Sequence, residues 1–172
     1  PTTMARACFR AAQTGADLIT VHACAGKKGL EESNQSAIAG AKEIGFPPPT
    51  LLAVTVLTSW SADDLARDLL ISQSLKDRVQ LMTKLAFDSG IGGCICSPWE
   101  VKQLRKVYKE PFELITPGIR LLGQGWDDQE RVMSPSDAIR AGASRLVIGR
   151  SITKATNPSE AFQKCCEEVM NP

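Results

Sequence analysis

One stretch of the sequence, Gly93-Cys94-Ile95-Cys96-Ser97-Pro98-Trp99-Glu100, places an apolar run directly before a helix start. A short apolar run bounded by glycine and serine is typical of a buried strand. Ser97 is suited to be the N-cap of the helix, Pro98 to be its first residue, and Glu100 to close a capping box. The stretch therefore predicts a strand that passes at once into a helix, the repeating unit of parallel α/β proteins.

The same alternation continues along the whole chain. Apolar runs predict five strands, over residues 18–21, 51–57, 93–96, 112–115 and 145–148. Helical periodicity predicts six helices, around residues 3–14, 30–44, 75–89, 98–106, 135–141 and 158–170. The runs are too continuously apolar for half-solvated antiparallel strands, so strand and helix in turn indicate βαβ units and a parallel sheet.

Parallel sheets occur chiefly as open doubly wound sheets or as closed eight-strand barrels. No Gly-x-Gly-x-x-Gly turn follows the first strand, and Gly123-Gln124-Gly125 lies in a polar stretch far from a strand–helix junction. A closed barrel usually needs about 250 residues, whereas this chain has 172. If the fold is a barrel, about three βα units are missing from the front of this chain.

Composition excludes several classes of protein. The 20 Lys and Arg residues against 19 Asp and Glu residues leave a net charge of +1, which does not favour nucleic-acid binding. No apolar run approaches the ~20 residues of a membrane span, and no secretory signal is visible. The six cysteines lack the spacing of a zinc site and predict buried, reduced thiols in a cytosolic protein.

Candidate binding residues stand where the predicted strands end. Gly149, Arg150 and Ser151 offer backbone N–H groups and a guanidinium, which suit a phosphate group, although a tight turn with a solvated arginine fits equally well. The aperiodic stretch 119–134 is long enough for a binding loop or lid, or for an ordinary surface loop. Within it Gln129 has an amide that can both donate to a phosphate and accept from a substrate group.

Several segments together resemble the orotidine 5′-phosphate decarboxylase family of the bacterial type. They are residues 1–3, 21–23, 53–59, 96–97, 116–120, 128–133 and 146–153, in the family's order over nearly the whole chain. The resemblance implies a homodimeric, cytoplasmic (β/α)8 TIM barrel in which residues 1–172 form one domain with about the last five strands. It also implies decarboxylation of orotidine 5′-monophosphate to uridine 5′-monophosphate in pyrimidine biosynthesis, without metal or cofactor.

The resemblance implies these substrate-binding residues: Pro1, Thr2, Thr3, Thr58, Arg120, Gln129, Gly149 and Arg150. Thr58, at the end of its predicted strand, is similar to the family's pyrimidine-facing hydroxyl residue. Gln129 is similar to the lid glutamine that bridges phosphate and base. Gly149 and Arg150 resemble the family's phosphate-gripping turn, and Arg120 resembles the arginine of its Thr-Pro-Gly-Ile-Arg motif.

The sequence departs from the family at its start. The family's catalytic run is Asp-x-Lys-x-x-Asp-Ile-Pro, and this sequence opens at the proline of that run, with Thr3 similar to the threonine that reaches the partner's site. The expected catalytic Lys and Asp residues thus precede Pro1, and Lys27, Lys28 and Lys154 do not stand at the right strand end. We therefore expect residues 1–172 alone to be inactive and to fold poorly.

Some alternatives remain open on the sequence. One is another phosphate-binding barrel, such as a sugar-phosphate decarboxylase or synthase, and another is a non-catalytic nucleotide-binding fragment. His22 has no settled role in the resemblance, and we predict a hydrogen-bonded histidine in the core.

Overall fold

A computed structural model describes residues 1–121 and 131–170 of the chain. Its five strands form one sheet in chain order. They are β1 Leu18–His22, β2 Thr50–Val54, β3 Gly93–Ile95, β4 Glu113–Thr116 and β5 Arg145–Leu146. β1 pairs with β2 and β4 with β5, both in parallel. The predicted α/β class with parallel strands is confirmed.

Helices separate the strands. They are α1 Thr2–Ala12, α2 Gly26–Glu43, α3 Ala62–Leu69, α4 Leu75–Asp88, α5 Pro98–Val107, α6 Pro135–Ala141, α7 Arg150–Thr153 and α8 Pro158–Met170, with a short 3-10 helix at Ala23–Ala25. All six predicted helices are present, and α6 and α8 have the predicted bounds. Two helices, α3 and α7, were not predicted. α3 begins at a capping box formed by Ser61 and Asp64, a local signal in the sequence.

Three strands are shorter than the apolar runs predicted: β3 by one residue, and β2 and β5 because each ends where a neighbouring strand ends. β2 stops at Val54, which is opposite the last residue of β1, His22. β5 stops at Leu146, opposite Thr116 at the end of β4, and one further hydrogen bond follows, from the Val147 N–H to the Thr116 carbonyl. The prediction that Thr58 ends a strand is therefore wrong, because Thr58 lies in the loop beyond β2.

The chain divides into two compact units. The first comprises residues 1–55 and 77–94. Its core contains side chains from α1, β1, α2, β2 and α4, among them Cys8, Val21, Leu30, Leu51, Ala53 and Met82. α1 and α2 pack closely at Gly40, where a Cβ atom would overlap with the carbonyl oxygen of Phe9.

We predict that Gly40→Ala destabilises the protein although alanine favours helices. The added methyl group meets backbone, which cannot rotate away, and overpacking of this kind costs about 1–3 kcal/mol. Gly29→Ala in the same helix is the matched control, since its Cβ would meet only side-chain atoms of Ala25 and Met4. Denaturant unfolding of the full-length protein measures both. Equal stability of the two variants would contradict the tight α1–α2 approach.

The second unit comprises residues 56–76 and the chain from residue 95 onward. Arg105 of α5 connects two loops of this unit through hydrogen bonds. Its guanidinium donates to the carbonyl oxygens of Gly142 at 3.0 Å, Tyr108 at 3.0 Å and Phe112 at 2.8 Å, and to the Ser144 hydroxyl at 2.8 Å. These bonds fix the entries into β4 and β5, whose other ends lead to the candidate binding residues.

Two expectations about single residue types are corrected. His22 was predicted to lie in the core, but its side chain is exposed, on the opposite side of β1 from the buried Val21. The cysteines, all six of which are described, are free thiols; Cys24 is exposed and Cys166 half-buried, whereas the others are buried as predicted. Within the described ranges, no helix has the length and apolar character needed to span a membrane.

Candidate functional site

The junction after β4 is built by backbone pairing on both sides of segment 122–130. The Arg120 N–H donates to the Met133 carbonyl at 3.1 Å, and the Met133 N–H donates to the Gly118 carbonyl at 3.2 Å. Gly118 has φ +77°, and a Cβ atom there would be 2.7 Å from the carbonyl oxygen of Arg131. Only glycine combines that backbone conformation with so close an approach. The two ends of the predicted binding loop are thus held against each other.

A buried ion pair lies beneath this junction. Arg131 Nη1 contacts Glu100 Oε1, and the side chains are 6% and 14% exposed. Arg131 Nη2 also donates to the Leu57 carbonyl at 3.0 Å. Burial raises the pKa of the Glu100 carboxyl, and the charge of Arg131 opposes that rise. The Ser97 N–H donates to Glu100 Oε2 at 2.7 Å, so the predicted capping box is confirmed.

Sequence reasoning included Arg131 in a segment that resembles the family but gave it no role, and it gave Glu100 only its capping role. The partners of Arg131 lie 31 and 74 residues away in the chain. No local pattern connects positions so distant, and only the folded structure brings them together.

The Gly149–Arg150 turn comes after β5. Gly149 is exposed and is the N-cap of α7, Arg150 is half-buried, and open space surrounds the position of a Cβ atom at Gly149. The next residue, Ser151, is buried and its hydroxyl donates to the Ile119 carbonyl at 3.1 Å. The start of a helix directs backbone N–H groups outward, and a neighbouring guanidinium adds positive charge. This arrangement suits a phosphate group.

Thr58 lies in the loop between β2 and α3 and is only 8% exposed. The preceding carbonyl, that of Leu57, accepts from the Trp60 N–H at 3.1 Å as well as from Arg131. The loop is therefore fixed at the peptide that joins Leu57 to Thr58.

Hydrogen bonds connect the surroundings of four predicted site residues within the second unit. Arg131 bonds to the Leu57 carbonyl, next to Thr58. Met133 pairs with the backbone of the segment after β4 that contains Arg120, and Ser151 bonds the Gly149–Arg150 turn to the same segment. Gln129 lies outside the described residues. Pro1, Thr2 and Thr3 belong to the first unit and are exposed at the start of α1. Their relation to the other four stays a prediction.

Among residues 1–121 and 131–170, no group of three His, Cys, Asp or Glu side chains is placed to hold a metal ion. The described candidate residues carry hydroxyl, guanidinium and backbone N–H groups, which bind and orient an anionic ligand.

The described residues define an α/β protein of successive βα units, with the Gly149–Arg150 turn following β5. The family described as orotidine 5′-phosphate decarboxylase / HUMPS matches residues 1–165. The chain belongs to this family, as its sequence motifs predicted.

Individual relatives agree with this assignment. The chain is 61% identical over 170 residues to an orotidine 5′-phosphate decarboxylase of Prochlorococcus marinus, covering 99% of this chain and 71% of that protein. A relative of the same name from Synechococcus is 57% identical, over 98% of this chain and 70% of the relative. The crystal structure of orotidine 5′-phosphate decarboxylase from Lactobacillus acidophilus superimposes with a TM-score of 0.85 at 34% identity, covering 98% of this chain and 70% of that one.

Proposed function

We propose that this chain is part of an enzyme that decarboxylates orotidine 5′-monophosphate to uridine 5′-monophosphate in pyrimidine biosynthesis. The observation that carries the proposal is family membership over residues 1–165 together with the Gly149–Arg150 turn. That turn is bonded through Ser151 to Ile119, in the segment after β4 that also contains Arg120.

In the proposed reaction the bond between the pyrimidine ring and its carboxylate breaks. Carbon dioxide leaves, the electron pair stays on the ring carbon, and a proton takes the place of the carboxylate. The described residues contribute binding and orientation. Gly149 and Arg150 hold the phosphate, and Thr58 faces the pyrimidine. Binding energy from the phosphate, remote from the reacting carbon, then serves to fix the ring for reaction.

The proton donor is expected outside residues 1–172, in the family's lysine-containing run. Gln129 is proposed to bridge phosphate and base, with its amide donating to one and accepting from the other. Neither a metal ion nor a cofactor takes part in the proposed reaction.

The proposal extends to assembly and location. We expect a cytoplasmic homodimer in which Thr3, at the exposed start of α1, reaches the site of the partner subunit. Size-exclusion chromatography with light scattering tests the dimer, and a Thr3→Ala variant tests the contribution across it.

The function is tested by following the loss of orotidine 5′-monophosphate with the purified full-length protein. We expect turnover by the full-length protein and none by residues 1–172 expressed alone. Competition between uridine 5′-monophosphate and ribulose 5-phosphate for binding separates a pyrimidine site from a sugar-phosphate site. A full-length protein that binds ribulose 5-phosphate and leaves orotidine 5′-monophosphate unchanged would contradict the proposal.

A further inference from the structure

Arg131 is a charged side chain in the interior of the second unit, where an apolar side chain would be buried at a lower cost in desolvation free energy. It is 6% exposed, and the desolvation of a buried ion pair often cancels the attraction between its charges. Its Nε atom is buried and donates no hydrogen bond within the described part of the chain. A buried, incompletely satisfied arginine calls for an explanation other than stability.

The bonding partners of the other two guanidinium nitrogens, Nη1 and Nη2, provide that explanation. Nη2 donates to the carbonyl of Leu57, and that carbonyl belongs to the peptide plane containing the Thr58 nitrogen. The Trp60 N–H donates to the same oxygen. Because the peptide is planar, two donors on one carbonyl fix the orientation of the backbone entering Thr58.

Glu100 holds the Arg131 guanidinium in place. Its two carboxylate oxygens are used separately, Oε1 for Arg131 and Oε2 for the Ser97 N–H at the start of α5. The carboxylate is thus held by a helix terminus, and it orients the guanidinium toward the Leu57 carbonyl. Two residues after Arg131 in the chain, the backbone of Met133 pairs with that of Gly118 and Arg120, in the segment after β4.

We propose that Glu100 and Arg131 are positioning residues, which set Thr58 against the pyrimidine ring by holding the Leu57 carbonyl. This inference rests on the proposed function. Neither residue needs to touch the substrate. A lysine at position 131 keeps the charge, but its single ammonium group lacks the planar fork that serves Glu100 and the Leu57 carbonyl at once.

The test compares binding of two ligands by the full-length protein. Arg131→Lys should weaken binding of uridine 5′-monophosphate about twofold to tenfold, the range expected when the Thr58 hydroxyl loses one neutral hydrogen bond to the base. Binding of ribose 5-phosphate, which lacks the base, should change little. Arg140→Lys is the matched control, because Arg140 pairs with Asp137 on the exposed face of α6; neither ligand should be affected. Equal losses for both ligands would indicate a general structural role and overturn the proposal.

A double-mutant cycle adds a second, independent readout. If Arg131 acts through Thr58, Arg131→Lys should cost much less kcat/KM in a Thr58→Ala background than in the wild type. Strict additivity would overturn the proposal. If the lysine variant does not fold, Glu100→Gln, which keeps the side-chain volume, enters the same cycle with the same expectations. Wild-type protein without turnover would reject the proposed function itself, whereas an active wild type with additive variants rejects only the positioning role.

Discussion

Replacement of Glu100 by alanine is expected to lower the free energy of unfolding of the full-length protein by about 3–5 kcal/mol, since breaking a buried ion pair leaves an uncompensated charge. Arg131 would keep its bond to the Leu57 carbonyl but lose its only buried counter-charge within the described part of the chain. The capping bond to the Ser97 N–H would be lost as well. Denaturant unfolding monitored by circular dichroism measures the change.

The chain contains a matched control for this variant. Asp137 stands at the same position after Ser134-Pro135 as Glu100 does after Ser97-Pro98, and it also pairs with an arginine, Arg140. That pair is exposed on both sides, and exposed ion pairs contribute little to stability. Asp137→Ala should therefore be far less destabilising than Glu100→Ala. Similar losses of unfolding free energy in the two variants would show that the effect of Glu100→Ala does not come from burial of the Glu100–Arg131 pair.

Replacement of Arg150 by alanine is expected to weaken binding of uridine 5′-monophosphate by about tenfold to a hundredfold, corresponding to one charge-assisted hydrogen bond of about 1.5–3 kcal/mol. The physical reason is loss of the guanidinium beside the N-terminus of α7, where the phosphate is proposed to bind. Uridine, which has no phosphate, should lose little affinity. Isothermal titration calorimetry with the two ligands gives the comparison.

Arg145→Ala is the control for Arg150. Arg145 lies five positions earlier, is exposed, and pairs with Glu113 at 3.2 Å. Its replacement removes the same charge from the second unit without touching the proposed phosphate turn. Binding of nucleotide and nucleoside weakened to the same extent in Arg150→Ala would show that Arg150 does not hold the phosphate.

Local signals predicted the helices well. α5 and α6 both begin at a serine cap followed by proline, and the sequence of four residues contains all the information that such a start requires. Strand ends were predicted less well, because a strand ends where the neighbouring strand that it pairs with ends. The apolar run through residues 51–57 continues past the point where β1 ends, so composition alone could not show that β2 stops at Val54.

In the candidate site too, features that are contiguous in sequence could be predicted, whereas contacts between distant segments could not. The Gly149–Arg150 turn is contiguous in sequence and could be proposed from it. The Glu100–Arg131 pair and the Leu57 carbonyl come from three separate segments, and their association is a property of the fold. His22 illustrates the opposite error: it was predicted to lie in the core, but alternate residues of a strand face opposite sides, and His22 is on the exposed one.

Gly118 has a consequence for anyone who wishes to redesign specificity in this protein. Its left-handed backbone and its contact with the Arg131 carbonyl leave no room for any side chain. A substitution library around Arg120 should therefore hold position 118 constant. Variants at Gly118 would lose activity through displaced backbone, and a screen would wrongly score the position as one that recognises the ligand.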